Sequence, residues 1–597
     1  MKELGIFHAN NRDYSSWDII KSVECVEHKE FDPVKMKALT GDIVLDNGNV
    51  HKISEIRKHT NHYAGVLALN SPTYGRHTNN KFLYRCIPGH THMPIFLIPY
   101  DIHEKKKNRL SRSSSISNST PNYYVLFRFV EWKEKHPIGC IVDIIGPVSN
   151  VSYFYKYQIY LENLYFAKSK RNNFIRKKLK TLVPPDETNE TNETNIINSI
   201  AATVENIVDR TDEHIISIDP TGSLDLDDAL GCVKIADDLY KVSVFIANVP
   251  VWLSALNYWE QLPSTPATIY MPDIKHPMLP NILGDKLISL IQQTPRLAVA
   301  MDMYVTSCGI TNKIEFTSAI IKVRNNFTYS DNLHAHPVYS ELYELAMKCN
   351  KVRRYMDCIE NSHDTVAFWM LCMNHEIGLK LQYNHVGIFR STSASDMTHI
   401  HDSQQQQSIS DIPKSIVKMA NNWNKERAKY TNAKLNNGHC YIGHGITAYA
   451  HSTSPIRRLV DIINLTRLQV LLGIMKPTDE LLDICNRYEK NVHTIDLKMN
   501  AIKKIQNKCE VLCKCSHVKP ETNHVGYIIA SENKENTMSI MRFITTYAYT
   551  IFIPTLNIVS YVDSQETWQL FSKKIFQIHV FEDETTLHRK IKIKHVE

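Results

Sequence analysis

Residues 217–230 read SIDPTGSLDLDDAL, which puts Asp219, Asp225, Asp227 and Asp228 within ten positions of one another among apolar neighbours. Four carboxylates this close cannot all remain ionised in a folded chain without a compensating cation, because like charges in a low dielectric raise one another's pKa. A divalent metal site is the reading that resolves the conflict. The flanks IISI and DALGCVKI are apolar and partly β-branched, so the acids are expected at strand ends and in the turn that Pro220, Thr221 and Gly222 form. In extended chain Asp225 and Asp227 share a face, and Asp228 needs a bend to join them. Oxygen-only ligands favour magnesium, or manganese in its place, over zinc. An acidic surface loop or a calcium loop is the alternative. An EF-hand fails on position: counted from Asp225, Leu230 stands where Gly is needed and Ala236 where Glu is needed. A solvated acidic loop would not usually interleave Ile and Leu.

The second chemical stretch is AYAHSTSPIRRLVD, residues 448–461. Ser454 and Pro455 read as an N-cap and first helical position with an apolar helix behind, which places Arg457 and Arg458 in the first turn. Positive charge there opposes the helix dipole. Two accounts stand: an anion docked at the helix end, matched by the planar guanidinium fork, or pairing with acids such as Asp461 on the same helix.

At 597 residues the chain is too long for one core, and about four domains are expected. A hydrophobic share of 43% and a charged share of 22% describe a globular protein, and the formal charge of +7 is compatible with a polyanionic partner. No long apolar run suggests a membrane span and no signal peptide is visible, so an intracellular, cytoplasmic protein is expected. The 13 cysteines are odd in number and scattered, as free thiols would be. Cys509, Cys513, Cys515 and His517 form the one cluster, but their spacing matches no common zinc site.

Along the chain, short β segments fill residues 1–75, and a second β-rich block runs from Phe82 to about Leu164. The basic, Ser-rich stretch 105–120 interrupts it and is expected to be disordered. Residues 168–180, KSKRNNFIRKKLK, are a solvated basic face or the edge of a nucleic-acid path, and a polar linker follows. From Ile196 to about Lys514 lies a large unit, strand-rich to Val305 and then mostly helical, with Gln404 to Gln407 marking a surface loop. Strands return after His517. An acid cluster, an arginine-bearing turn and three small β-barrels together describe a metal-dependent phosphodiesterase acting on nucleic acid, in which a metal neutralises the scissile phosphate and activates water while an arginine stabilises developing charge.

SIDPTGSLDLDDAL resembles the signature of the ribonuclease II (RNB) superfamily of 3'-to-5' exoribonucleases, with all four acids at the family spacing. AYAHSTSPIRRLVD resembles its second signature, and TIYMPDIKHPMLPNILGDKLISL its intervening stretch; weaker likeness runs from PGHTHMPIFLIPY and KHPIGCIVDIIG to FWMLCMNHEIGLKLQ and points to the exosome-associated branch. The resemblance implies an α+β multidomain fold: cold-shock OB-folds over 1–75 and 76–165, a basic segment and linker over 166–195, a mixed α/β RNB catalytic domain over 196–514, and a C-terminal OB-fold over 515–597. OB-folds track single strands by charge and stacking, which suits feeding a 3' end inward.

The resemblance further implies a magnesium site on Asp219, Asp225, Asp227 and Asp228, with Asp227 most closely tied to catalysis. It gives Arg457 the stabilisation of the transition state and Arg458 the holding of RNA phosphates. Tyr270 matches an aromatic that stacks near the terminal nucleotide, with a buried strand tyrosine as the alternative, and Arg390 matches a family arginine after the long helix. The implied activity is processive hydrolysis of single-stranded RNA to 5'-nucleoside monophosphates, by a chain acting alone and without exosome tethering through a PIN domain. The chain departs from the family at Phe245-Ile246-Ala247-Asn248, at Leu459, around Leu465 and Thr466, and in two shortened segments. Those departures keep open a degenerate RNB-fold protein that binds RNA without turnover. A DNA exonuclease is disfavoured by the family's reliance on the 2'-hydroxyl.

Overall fold

The computed structural model describes residues 3–20, 31–45, 48–77, 80–101, 121–165, 168–182, 189–392, 412–424, 427–439, 446–534 and 546–596. The stretch 105–120 and the Gln404 to Gln407 tract lie outside the described residues.

The expected architecture of small β units flanking a mixed α/β unit is present. A four-stranded sheet comes first, in the order Trp17–Ile20, Glu3–Ala9, Ile43–Leu45, Val50–His51. A closed five-stranded barrel follows, built from Tyr63–Leu67, Phe82–Pro88, Phe96–Tyr100, Ile138–Pro147 and Tyr123–Glu131. Strand Tyr63–Leu67 thus belongs to the second β unit, pairing with Phe82–Pro88 and Tyr123–Glu131, although the sequence pattern assigns residues 1–75 to the first. No turn signal separates it from what precedes, and its partners lie tens of residues away. The C-terminal unit is a five-stranded antiparallel sheet in the order Ile558–Ser564, Thr546–Ile553, His524–Lys534, Lys573–Glu582, Arg589–Val596.

The central unit is built on another closed barrel, of strands Val208–Asp219, Asp228–Ala236, Leu239–Ala247, Pro295–Thr306 and Thr311–Thr328. Its neighbours run antiparallel except for Val208–Asp219 beside Thr311–Thr328, which are parallel. Side chains alternate across a strand, so consecutive residues serve different cores. Ile215, Ala298 and Ala300 join one buried cluster, while Ile216, Val299 and Met301 join the other. Helix Ser362–Tyr383 contributes Phe368, Trp369, Cys372 and Met373 to the second cluster, and its N-cap Asn361 accepts from the Asp364 N–H. The last residues of the polar stretch read as linker, from Asn189, are helical, and the helix runs on to Ala201 with Ile196, Ile197 and Ile200 inside the first cluster. The basic run forms helix Lys168–Leu179.

Helix Leu459–Leu471 runs through the middle of this unit, and every residue from Leu459 to Gln469 is buried. A helix apolar all round is expected in such a place, and the polar residues on it are each tied down. Asn464 donates to the carbonyls of Ile388 and His451, and Arg467 pairs with Glu489 at 2.8 Å. Among the described residues no helix is long and apolar enough to cross a membrane.

Candidate active site

Two strand ends and one turn make the site. Strand Val208–Asp219 ends on Asp219, the chain turns through Pro220 to Ser223 with Gly222 at φ +82°, and the next strand starts on Asp228. The intervening loop is pinned rather than loose. Leu226 donates to Ser289 Oγ at 3.0 Å, Ser289 Oγ donates to the Leu224 carbonyl at 2.8 Å, and the Leu290 N–H reaches the Leu226 carbonyl at 3.0 Å. The acids therefore lie at strand ends and in a turn, as their β-branched flanks predict.

Asp227 is the most buried of the four, 1% exposed. Its Oδ1 accepts the Ile456 N–H at 2.7 Å, and its Oδ2 lies 3.2 Å from Arg457 Nε. The two sequence signatures, far apart in the chain, meet at this contact.

The arginine stretch departs from its expected form. Residues Ser454 to Arg458 make a turn, with the Arg457 and Arg458 N–H groups donating to the Ser454 carbonyl, and the helix begins only at Leu459 with Arg458 as its N-cap. The turn is shaped by pairing with residues 266–268: Leu459 donates to the Pro266 carbonyl, Thr268 donates to the Arg457 carbonyl, and Ala267 bridges Arg458. That tertiary pairing overrides the Ser-Pro start signal. The conflict with the helix dipole also falls away, since Arg458 pairs with Asp461 at 2.8 Å while the same Asp461 oxygen accepts the Ser454 N–H. Of the two accounts, pairing with Asp461 holds for Arg458. Arg457 points instead at Asp227 and stays 46% exposed.

Asp461 is completely buried. Removing one member of a buried ion pair leaves the other charge uncompensated, and because Arg458 keeps some solvent contact the low end of the usual range applies. Asp461→Ala is expected to destabilise the central unit by about 3 kcal/mol, read as a lower denaturant midpoint.

Tyr270 lies in the hairpin Ile269–Tyr270/Lys275–His276, and its hydroxyl donates to Asp225 Oδ2. The residue is 39% exposed, so the buried-tyrosine alternative does not hold. Arg390 sits on strand Ile388–Ser391 with its guanidinium 4.9 Å from the Tyr430 ring centre and 3.6 Å from Asp496.

The electrostatics divide the acids into two kinds. Burial pushes the Asp219 carboxyl up to about 6, with Asp225 adding to the rise, and burial with Asp219 pushes Asp228 up to about 8. Burial also holds Asp227 well above the ordinary carboxylate range, against the opposing pull of Arg457. Asp225 alone goes down: burial acts upward, but the Tyr270 hydroxyl and the Lys275 ammonium outweigh it.

Among the described residues no three His, Cys, Asp or Glu side chains are gathered into a ready cation cage. Asp225 and Asp227 are already engaged, by Tyr270 and Lys275 and by Ile456 and Arg457. Asp219 and Asp228 are different. Asp219 Oδ2, like Asp227 Oδ2, is buried without a hydrogen-bond partner, but no guanidinium stands against it at ion-pair distance as Arg457 does against Asp227, and Asp219 pushes the Asp228 carboxyl up. An orphaned carboxylate oxygen beside a second repelling acid is a donor set that a hard divalent cation fits.

The raised pair sets a pH dependence whose sign follows from linkage. A carboxyl whose folded pKa lies above its unfolded value contributes stability below the unfolded value, and that contribution is lost as pH climbs through the folded one. Metal-free protein is therefore expected to melt at falling temperature between pH 4 and about 8, the window set by Asp219 and Asp228. Magnesium should restore more of the loss at pH 8 than at pH 6, and thermal melts across that grid check both statements.

Several residues here escape sequence reading. Lys275 contacts Asp225 at 3.1 Å and Asp285 at 2.7 Å, and the Ile456 N–H that serves Asp227 has no side-chain signal at all. Lys275 stands directly opposite Tyr270 in the short hairpin, so predicting that hairpin in IYMPDIKH would have found it. Cys509 and Cys515 are buried on helix Val492–Ser516, as free thiols would be.

Residues 207–336 match the RNB domain. The chain is 34% identical over 125 residues to a probable exosome complex exonuclease RRP44 of Caenorhabditis elegans, covering 20% of this chain and 13% of that one. It is 27% identical over 256 residues to DIS3-like exonuclease 2 of Schizosaccharomyces pombe, covering 41% and 25%, and 24% identical over 393 residues to ribonuclease R of Chlamydia pneumoniae, covering 55% and 56%. The chain thus spans less than two thirds of the length of each of these relatives. Among solved structures, Mycoplasma genitalium RNase R in complex with ribose-methylated single-stranded RNA has the same fold, with a TM-score of 0.66 at 16% identity over 99% of this chain and 100% of that one. Yeast Ssd1, described as a pseudonuclease, superposes with a TM-score of 0.59 at 13% identity over 96% and 81%.

Proposed function

We propose, from the premise that this chain carries the RNB domain of the ribonuclease II superfamily, that it is a metal-dependent 3'-to-5' exoribonuclease that degrades single-stranded RNA to 5'-nucleoside monophosphates. The single observation that carries the reading is the contact between buried Asp227 and half-exposed Arg457, one from each signature. The guanidinium compensates the buried acid, and the half of its side chain left open to solvent is still able to meet a phosphate oxygen at the same place.

Asp219 and Asp228 would hold a magnesium or manganese ion. When bound, that ion supplies charge neutralisation at the scissile phosphate and activates water. The protein's own contribution is positional. The Ile456 N–H fixes Asp227, Asp227 orients Arg457, and the guanidinium is left able to meet an anionic oxygen. Arg458, locked to Asp461, holds the turn and lends positive potential to the RNA backbone. The open Tyr270 ring offers a stacking face for the terminal base, with its hydroxyl tied to Asp225. Arg390 would touch RNA phosphates further along the path. The flanking β units would guide a single strand, as single-stranded RNA is bound in the RNase R complex whose fold this chain shares. Processivity, a cytoplasmic location and a monomeric state belong to the same reading.

The test compares linear single-stranded RNA with the same RNA circularised. An exonuclease working from a 3' end is expected to release 5'-nucleoside monophosphates from the linear form and leave the circle intact. Cutting of the circle would overturn the exonucleolytic reading. A second reading, an RNB-fold RNA-binding protein without turnover, is favoured by the engagement of Asp225 and Asp227 with protein cations and by the shared fold of a pseudonuclease. It predicts binding of both RNAs and hydrolysis of neither.

A further inference from the structure

Asp225 differs from its neighbours in being held by a largely buried lysine and a tyrosine hydroxyl, one on each carboxylate oxygen. Oδ2 accepts the Tyr270 hydroxyl, and Oδ1 lies 3.1 Å from Lys275 Nζ. Lys275 in turn reaches Asp285 Oδ1 at 2.7 Å, and Asp285 Oδ2 accepts the Asn281 side-chain amide at 2.8 Å. These groups form one chain of contacts, Tyr270 to Asp225 to Lys275 to Asp285 to Asn281. Its three charged members are largely enclosed: the side chains of Lys275, Asp225 and Asp285 are 19%, 9% and 12% exposed.

The backbone explains why the chain closes. Tyr270 and Lys275 are cross-strand partners in the hairpin, so their side chains leave the same face and reach the same carboxylate. Asp285 lies in the helical turn Ile282–Leu287 that follows the hairpin. The ammonium is thus shared by two carboxylates brought in from separate segments. Such a group is not a surface pair that contributes little, since it is desolvated and hydrogen-bonded at both ends.

We propose that Lys275 is the resident counter-cation of Asp225, a positioning residue that keeps Asp225 out of the metal site and so fixes the Tyr270 hydroxyl and leaves the ion to Asp219 and Asp228. This rests on the metal-dependent reading given above. An ion drawn to Asp225 would have to displace an ammonium already held by two carboxylates, whereas Asp219 Oδ2 is free of any hydrogen-bond partner. The lowered pKa of Asp225 beside the raised values of Asp219 and Asp228 agrees with that division. Asp225 then acts through Tyr270, by holding the ring where a terminal base can stack.

The experiment is a manganese titration of the full-length protein followed by electron paramagnetic resonance, with no RNA present. Asp225→Asn is expected to leave manganese affinity within about twofold of the unsubstituted protein, whereas Asp219→Asn should weaken it at least about tenfold, a difference of 1.4 kcal/mol. Lys275→Met, which frees Asp225, should tighten binding by about tenfold. The gain should vanish in the double variant Lys275→Met/Asp225→Asn, and Lys275→Arg should behave as the unsubstituted protein does. A merely structural lysine would not give that non-additive pattern. If Asp225→Asn weakens manganese binding as much as Asp219→Asn, Asp225 is a ligand and the proposal is overturned while the metal-dependent reading stands. If the unsubstituted protein binds no manganese, the metal-dependent reading fails and takes this inference with it. Should Lys275→Met not fold, the comparison of Asp225→Asn with Asp219→Asn still decides the matter.

Discussion

Asp227→Asn is expected to lower the rate of RNA shortening by about a thousandfold or more while leaving RNA affinity nearly unchanged, because the amide keeps the shape and loses only the charge. Asp227 accepts the Ile456 N–H through one oxygen and faces Arg457 through the other. An Asn carbonyl can still accept from Ile456, so the turn should hold. The amide cannot pair with the guanidinium, and Arg457 loses the partner that orients it. Single-turnover rates with saturating protein, beside equilibrium binding of the same RNA, separate the two effects. A variant that shortens RNA at the original rate would remove Asp227 from the chemistry.

The second large effect is expected at Arg457. Removing one preoriented donor to a developing anion typically costs about a hundredfold to a thousandfold in turnover, and Arg457→Ala should fall in that range. Arg457→Lys should recover little, because a point charge replaces a planar fork whose Nε faces Asp227 while its Nη2 donates to Ser454 Oγ at 3.1 Å. Separate values of kcat and KM distinguish this from lost binding: the fall should appear in kcat, with KM little changed. A fall in affinity alone would make Arg457 a phosphate anchor with no role in the transition state.

The sequence made the acids legible because their chemistry is local. Asp219 and Asp228 stand at strand ends that apolar, β-branched flanks announce, and Gly222 supplies the positive φ the turn needs. The helix after Arg458 was legible as a buried apolar run, but its start was not. Ser454-Pro455 carries a genuine N-cap signal, and the chain ignores it because Leu459 and Thr268 exchange backbone hydrogen bonds with residues nearly two hundred positions apart. Local propensity is a weak prior against such pairing. Strand Tyr63–Leu67 escapes local assignment for the same kind of reason, its partners being remote.

The departure at Asn248 shows what a family pattern alone conceals. Asn248 is fully buried, and its side-chain amide exchanges hydrogen bonds of 3.0 Å in both directions with Gln469 on the central helix. A carboxylate at position 248 would set an oxygen against the Gln469 carbonyl oxygen, with only the Ser318 hydroxyl 3.4 Å away to donate on that face, and would carry an unpaired charge into the core. Neutral Asn is therefore what this particular neighbour requires, and the departure leaves Asp219 and Asp228 in place. Lys275 was missed because nothing in IKHP marks a lysine as buried, and only the hairpin register brings it to Asp225.

The measurement that bears most directly on the whole account is a time course on 5'-labelled single-stranded RNA, run with magnesium, with chelator, and with Asp227→Asn. The predicted result is stepwise shortening from the 3' end to a short limit product, present only with magnesium and only with Asp227 intact. RNA that stays bound and full-length under all three conditions would contradict the exoribonuclease and leave an RNB-fold protein that holds RNA without cutting it.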